Sequence, residues 1–167
     1  MEVALALGSN LGDRLERLRE ARARILEWPD VRLLAQSPVY DTDPVDLPEP
    51  WRKLSFLNAV LILESALPLP ELHKQTRRIE HDMGRKPAAQ PNAPRPIDID
   101  VIYADAIRLD TPGLVVPHPR WAIRRFVVAP LASVRPELII PGQSITVSGV
   151  LSSLPDTAQV REFARNW

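Results

Sequence analysis

The chain has no cysteine among its 167 residues. That excludes disulfides, zinc–thiolate centres, iron–sulfur clusters and cysteine nucleophiles. It has no surplus of charge either, with 21 basic side chains against 21 acidic. A general polyanion binder needs extra Lys and Arg, so nucleic acid is not an expected partner, although a small local anion site stays open. Lysine occurs only at 53, 74 and 86, leaving arginine as the main cation, a bias read as genome composition. No uncharged apolar run approaches the ~20 residues that span a bilayer. The apolar start Val3–Leu7 is too short for a signal peptide and follows an acid, Glu2. A cytoplasmic setting with no membrane partner is the expectation.

What is present is ordinary globular composition, 45% hydrophobic and 25% charged. The length suits one domain over 1–167, large enough to bury a core without metal or disulfide. Proline is abundant at 18 residues, and it falls in the connections between patterned segments.

The pattern predicts a buried strand at 3–7 and then a helix, with Leu11, Leu15, Leu18, Ile25 and Leu26 at helical spacing. Ser9 or Asn10 is the expected cap, Asp13 suits the first turn, and Pro29 stops the helix. A second strand over 31–40 is broken by Pro38, 41–53 is loop, and 56–63 is a third strand. Pro70 opens a helix over 71–83 that Gly84 closes. Four prolines make 85–96 irregular, and 97–103 alternates as a strand. A short strand near Val115, a helix over 122–133 with Pro130 near its end, an edge strand at 138–141 and a helix over 145–154 complete the reading. The order β-α-β-β-α-β points to an α+β fold, a ferredoxin-like split βαβ sandwich with a mainly antiparallel sheet and helices packed on it.

The sharpest chemical feature is Arg95-Pro96-Ile97-Asp98-Ile99-Asp100-Val101. On a strand, side chains two apart share a face. Asp98 and Asp100 then project together, roughly 6.6 Å apart at Cα from the strand rise. Two such carboxylates repel, and a divalent cation relieves that; Mg²⁺ typically joins one or two carboxylates to substrate phosphates. A bare Asp-x-Asp is more often a solvated strand face. Here Arg85, Arg95, His118, Arg124 and Arg125 lie nearby in sequence order, and cations around a metal-binding pair suit phosphoryl transfer. Gly8-Ser9-Asn10-Leu11-Gly12-Asp13 is a weaker feature, better read as helix capping than as a phosphate loop, since the Gly-Lys-Ser/Thr ending is missing. Phe56-Leu57-Asn58 puts an aromatic ring and an amide on one strand face, able to stack a flat heterocycle and bond its edge. Taken alone, Phe56 and Phe126 are core residues.

Together these stretches resemble the hydroxymethyl-dihydropterin pyrophosphokinase family of folate biosynthesis. The matching segments also include Ser37-Pro38-Val39-Tyr40-Asp41-Thr42, Arg78-Ile79-Glu80, Pro117-His118-Pro119-Arg120 and Arg124-Arg125-Phe126-Val127, in family order. The resemblance implies an enzyme that moves the β,γ-diphosphate of ATP to the hydroxymethyl group of the dihydropterin and releases AMP. It implies ATP as co-substrate and two Mg²⁺ ions held by Asp98 and Asp100, with Arg85 and Arg95 also catalytic. Arg77, Glu80, Arg85, Arg95, Val101, His118 and Arg124 are then the ATP contacts. Asn10, Thr42, Asp43, Val45, Phe56, Asn58 and Phe126 are the pterin contacts. A monomer acting on small molecules is implied. The chain departs from the family in Pro91-Asn92-Ala93-Pro94-Arg95, where an Arg-Trp usually precedes Gly-Pro-Arg, in Pro87 for an arginine, and in Phe56 for tyrosine. The alternatives weighed are a degenerate pterin- or nucleotide-binding relative without turnover, a different Mg²⁺-dependent phosphotransferase, and an RNA-binding module. The intact aspartate pair argues against the first, the aromatic–amide pair against the second, and zero net charge against the third.

Overall fold

A computed structural model of the chain describes residues 1–43, 51, 54–86, 93–156 and 159–167. The apolar start forms β1 (Glu2–Ser9), and the amphipathic stretch after it forms α1 (Arg14–Leu26). Asp13 caps this helix, its side chain accepting from the Glu16 N–H. Neither Ser9 nor Asn10 does so, because β1 runs through Ser9 and the Asn10 amide is committed elsewhere. Pro38 divides the next segment into β2 (Val31–Gln36) and β3 (Val39–Thr42). Then follow β4 (Phe56–Ser65), α2 (Leu69–Asp82) with Pro70 in its first turn, and β5 (Asp98–Ala104). Gly84 ends the α2 region at φ +91°, a left-handed conformation that a side chain resists.

Four later features differ from the sequence expectation. The short strand near Val115 is one arm of a hairpin, β6 (Leu109–Thr111) with β7 (Leu114–Val116), turning through Pro112 and Gly113 at φ +89°. The helix expected over 122–133 starts as a 3-10 turn, Trp121–Ile123, before α3 (Arg125–Val134). α3 passes through Pro130, which leaves the Phe126 carbonyl without its usual donor but does not end the helix. Residues 138–141 form no strand; the Val147 and Ser148 N–H groups bond back to the Leu138 and Pro136 carbonyls, folding the segment onto α4 (Val147–Ser153). The sheet edge is taken instead by β8 (Val160–Ala164), which the sequence pattern did not reveal.

The main sheet runs β5-β1-β4-β3-β8, with β2 also on β4, and every pairing is antiparallel. The strand order β5-β1-β4-β3 with α1 and α2 on one face is the ferredoxin-like α+β arrangement, and α3 and α4 cover the other face. Leu18, Ala21 and Ile25 of α1 and Leu72 and Ile79 of α2 pack on Val3, Leu5 and Leu7. Val127, Val128 and Leu131 of α3 and Val147 and Val150 of α4 pack on Ala4, Val60, Ile62 and Ile102. Each such Leu, Ile or Val removed from water is worth roughly 1.5–3 kcal/mol.

The site follows from this second face. Along β1 its side chains shrink, from Ala4 and Ala6 to none at Gly8, so packing gives way to a cavity of about 210 Å³. Gly8 pairs with Asn58 on one side and Asp98 on the other, and Ala6 pairs with Val60 and Asp100. One row across the sheet therefore reads Asp98, Gly8, Asn58. A bulge between Ala4 and Leu5 shifts β5 by one residue at Ile102. The Ile102 carbonyl accepts from the His118 N–H at 2.8 Å, which seats His118 beside the strand.

Candidate active site

The cavity has two unlike walls. The first is charged. Asp98 accepts from Arg85 Nη1 on one carboxylate oxygen and meets Arg95 Nη2 at 2.9 Å on the other. Asp100 is held more loosely, 3.7 Å from Arg77 Nη2, 3.8 Å from His118 Nε2 and 3.8 Å from Arg124 Nη1. Arg95, Asp98, Asp100, Arg120 and Arg124 line the cavity itself. With Arg77 and Arg85 behind them, the guanidinium groups outnumber the carboxylates of Asp98, Asp100 and Glu80. A chain of zero net charge thus concentrates positive charge at one place.

Glu80 sits beneath this wall rather than in it. β5 is the edge strand, and the Glu80 carboxylate accepts from the outward Ile99 N–H at 2.7 Å, from Arg77 Nη1 at 2.7 Å and from Arg85. Burial pushes its pKa up, opposed by Arg77 and Arg85. It closes the free edge of the strand and fixes Arg85 against Asp98. The Val101 side chain faces the α1–α2 core, so only its backbone is available to a ligand.

His118 has its tautomer set by the turn. Its Nδ1 accepts from the Arg120 N–H at 3.0 Å, which leaves the neutral ring's proton on Nε2, facing Asp100 and, at 3.5 Å, Arg124. Burial lowers its pKa, against the pull of Asp100. Burial thus favours its neutral form, with the Nε2–H as donor.

The second wall is mostly uncharged, with Asp43 as its one acidic residue. Thr42, Asp43, Phe56, Asn58, Ile123, Phe126 and Val127 line it. Asn58 is 7% exposed; its Nδ2 donates to Thr42 Oγ1 at 2.7 Å. Its Oδ1 lies over Gly8, where an added Cβ would stand only 2.9 Å away. The Phe126 ring lies 5.6 Å from the Arg124 guanidinium carbon, which holds it by a cation–π contact. Asn10, expected at the pterin, does not line the cavity; its side chain accepts from the Arg95 N–H at 2.8 Å and so fixes the charged wall. Among the described residues Arg95 Nε, on a residue that lines the cavity, is buried without a hydrogen-bond partner, as are Ser9 Oγ and Asn10 Nδ2, whose residues do not line it.

Of the residues expected from sequence, Asp98, Asp100, Arg95, Arg124, Thr42, Asp43, Phe56, Asn58 and Phe126 share the one cavity. Arg77, Arg85 and His118 contact its aspartates. Val45 lies outside the described residues, as do Pro87, Pro91 and Asn92 of the altered loop. Gly8 and Ile123 were not singled out. Local pattern marks Gly8 only as a turn residue; its place between Asp98 and Asn58 depends on long-range register. Ile123 is 71% exposed, and only its position at the cavity mouth marks it.

The donor set fits one kind of metal. Among the described residues no three His, Cys, Asp or Glu side chains gather to cage an ion. Two hard carboxylates on one face, beside surplus guanidinium, suit a Mg²⁺ that completes its shell with substrate oxygens.

Residues 4–136 match the family model of 7,8-dihydro-6-hydroxymethylpterin-pyrophosphokinase. The chain is 37% identical over 130 residues to the Bacillus subtilis 2-amino-4-hydroxy-6-hydroxymethyldihydropteridine pyrophosphokinase, covering 78% of this chain and 75% of that protein. It is 38% identical over 130 residues to a mitochondrial folate synthesis bifunctional protein of Arabidopsis thaliana, of which it spans 23%. In fold it is similar to an HPPK-DHPS crystallised with substrates, with a TM-score of 0.66, 13% identity, and 91% and 43% of the two chains covered. Plasmodium falciparum HPPK-DHPS with pteroate gives a TM-score of 0.67 at 14% identity, with 90% and 42% covered. On the family match and the Bacillus identity, the chain belongs to the 7,8-dihydro-6-hydroxymethylpterin-pyrophosphokinase family.

Proposed function

We propose that the chain transfers the β,γ-diphosphate of ATP as a unit to the hydroxymethyl oxygen of 6-hydroxymethyl-7,8-dihydropterin, releasing AMP. The observation that carries this reading is the row Asp98–Gly8–Asn58, which puts the charged wall and the ring-reading wall about one strand spacing to either side of a residue with no side chain.

The neutral wall binds the acceptor. Phe56 and Phe126 flank a flat ring, and Asn58 and Thr42, with backbone at Asp43, read its polar edge. The charged wall binds the triphosphate. Arg85 and Arg95 exchange Asp98 for phosphate oxygens, while Arg124 and the His118 Nε2–H neutralise charge farther along. Arg77, tied to Glu80 and Asp100, and the backbone at Val101 lie toward the nucleotide. Asn10 fixes the Arg95 backbone between the two substrates. Asp98 and Asp100 would hold Mg²⁺, two ions in this proposal, which would supply charge neutralisation on the phosphates and in-line orientation. The protein's share is positioning: a fixed acceptor oxygen facing a clamped phosphorus avoids most of the entropy of a bimolecular encounter. A monomer acting on small molecules belongs to this proposal. A cytoplasmic setting belongs to the same proposal, and among the described residues no helix is long and apolar enough to cross a membrane.

The test is product analysis. Purified protein with ATP, Mg²⁺ and the hydroxymethyl-dihydropterin should form AMP and the pterin diphosphate in equal amounts, with no AMP when the pterin is left out. ADP formation, or AMP without pterin, overturns the reading.

A further inference from the structure

The residues after the family match supply the support of the neutral wall. β3 is four residues long and carries Thr42 at its end. Three of its residues pair with β4, from Tyr40↔Asn58 to Thr42↔Phe56. Its other edge is covered by β8, with Tyr40↔Glu162, Asp41↔Arg161 and Thr42↔Val160, and the Asp43 N–H reaches the Gln159 carbonyl at 3.3 Å. Without β8 this would be a short, four-residue edge strand, and such strands fray.

β8 is itself fastened at both ends. Beyond it, the Trp167 indole N–H donates to the Ser37 carbonyl at 2.8 Å, and the ring packs on the first core with Arg22 5.9 Å above it. Ser37 is the joint between β2 and β3, and its backbone N–H and side-chain oxygen both bond to Val60 of β4. Before β8, Arg125 reaches the Leu154 carbonyl at 3.4 Å and Asp156 at 3.3 Å. Arg125 stands beside Phe126, so the C-terminal stretch grips β3 and the start of α3, the two elements that bear Thr42 and Phe126.

We infer that β8, riveted by Trp167, is the positioning element for acceptor recognition: it holds Thr42 in register, and Thr42 sets the Asn58 amide. This rests on the pterin reading above. It assigns Trp167 to the KM for one substrate, although Trp167 does not line the cavity.

The experiment measures both substrates in the full enzyme, in Trp167→Ala, in Trp167→Phe and in a chain ending at residue 158. The expected result is a KM for the dihydropterin raised about tenfold in Trp167→Ala, more in the truncated chain, with the KM for ATP within about twofold. Trp167→Phe keeps aromatic packing but not the bond to the Ser37 carbonyl, and should recover part of the loss. Arg135→Gln, at the opposite end of the sheet, is the control for lost stability and should move neither KM. If the truncated chain does not fold, the Trp167 pair gives the same split. An unchanged pterin KM in Trp167→Ala, or equal rises for both substrates, overturns the inference. Wild-type protein that forms no AMP overturns the functional reading instead, so the two failures are distinct.

Discussion

The two walls of the cavity use different physics. On β5 the groups are ionic and crowded: Asp98 is bonded to two arginines, and Asp100 lies within 4 Å of two arginines and a histidine. On β3, β4 and α3 the contacts are a neutral amide, a hydroxyl and two aromatic rings, with Asp43 the one acid beside them. Charge stabilisation has its greatest effect where charge moves in the transition state, so the first wall should govern turnover. Ring recognition is made equally in ground and transition states, so the second should govern KM.

The strongest way to break that contrast is at the aspartates. Asp98→Ala and Asp100→Ala should each lower kcat by at least about 10³-fold, in line with the loss of a preorganised charge group. Circular dichroism should show the fold intact. Retained turnover in both variants removes the charged wall from the mechanism. Chelation with EDTA should abolish AMP formation to the same extent and be reversed by Mg²⁺.

A sharper and smaller effect is expected on the opposite side of the row. Gly8→Ala drives a methyl group to about 2.9 Å from Asn58 Oδ1, closer than real Cβ contacts allow. Asn58 must turn away from Thr42. The pterin KM should rise roughly tenfold to a hundredfold, on the scale of one or two lost hydrogen bonds, with kcat nearly kept. Asn58→Ala should match it, and the double variant should be less than additive because both act on one amide. Additive losses would separate Gly8 from the amide.

The smallest effect belongs to the far end of the sheet. There Glu2 accepts from Arg135 at 2.8 Å and from the Tyr103 hydroxyl at 2.6 Å. Arg135 holds the Glu2 carboxyl below its usual pKa, while burial and the Glu2 charge push Tyr103 up. A depressed carboxylate stabilises the fold above its unfolded pKa and loses that contribution as pH falls through the folded value. Glu2→Gln should cost under about 1 kcal/mol at neutral pH, because solvent screens the pair, and nothing at strongly acid pH. Melting temperatures of the two proteins should converge as pH drops below the carboxylate range, and at neutral pH both KM values should match wild type.

The two walls were also unequally legible in sequence. Asp98 and Asp100 follow from period two within one strand, and Asn58 and Phe56 likewise, because local alternation fixes which side chains share a face. That both pairs border one cavity follows from the register of β5, β1 and β4, which no local pattern encodes. β8 was missed because Val-Arg-Glu-Phe-Ala is an edge strand with mostly exposed side chains, so it lacks the alternating burial that signals a strand. The edge strand expected at 138–141 failed for the opposite reason: Ile140 is fully buried, but as a turn residue under α3 and α4. The cap of α1 passed to Asp13 because Asn10 serves Arg95, 85 positions away.

The most direct test of the two-wall account is the binding of the hydroxymethyl-dihydropterin, by calorimetry with a nonhydrolysable ATP analogue present, to Asp98→Asn and Asp100→Asn. The account predicts pterin affinity within about threefold of wild type alongside loss of AMP formation, since neutral recognition and charge stabilisation are separate. Pterin affinity falling in step with turnover would contradict it.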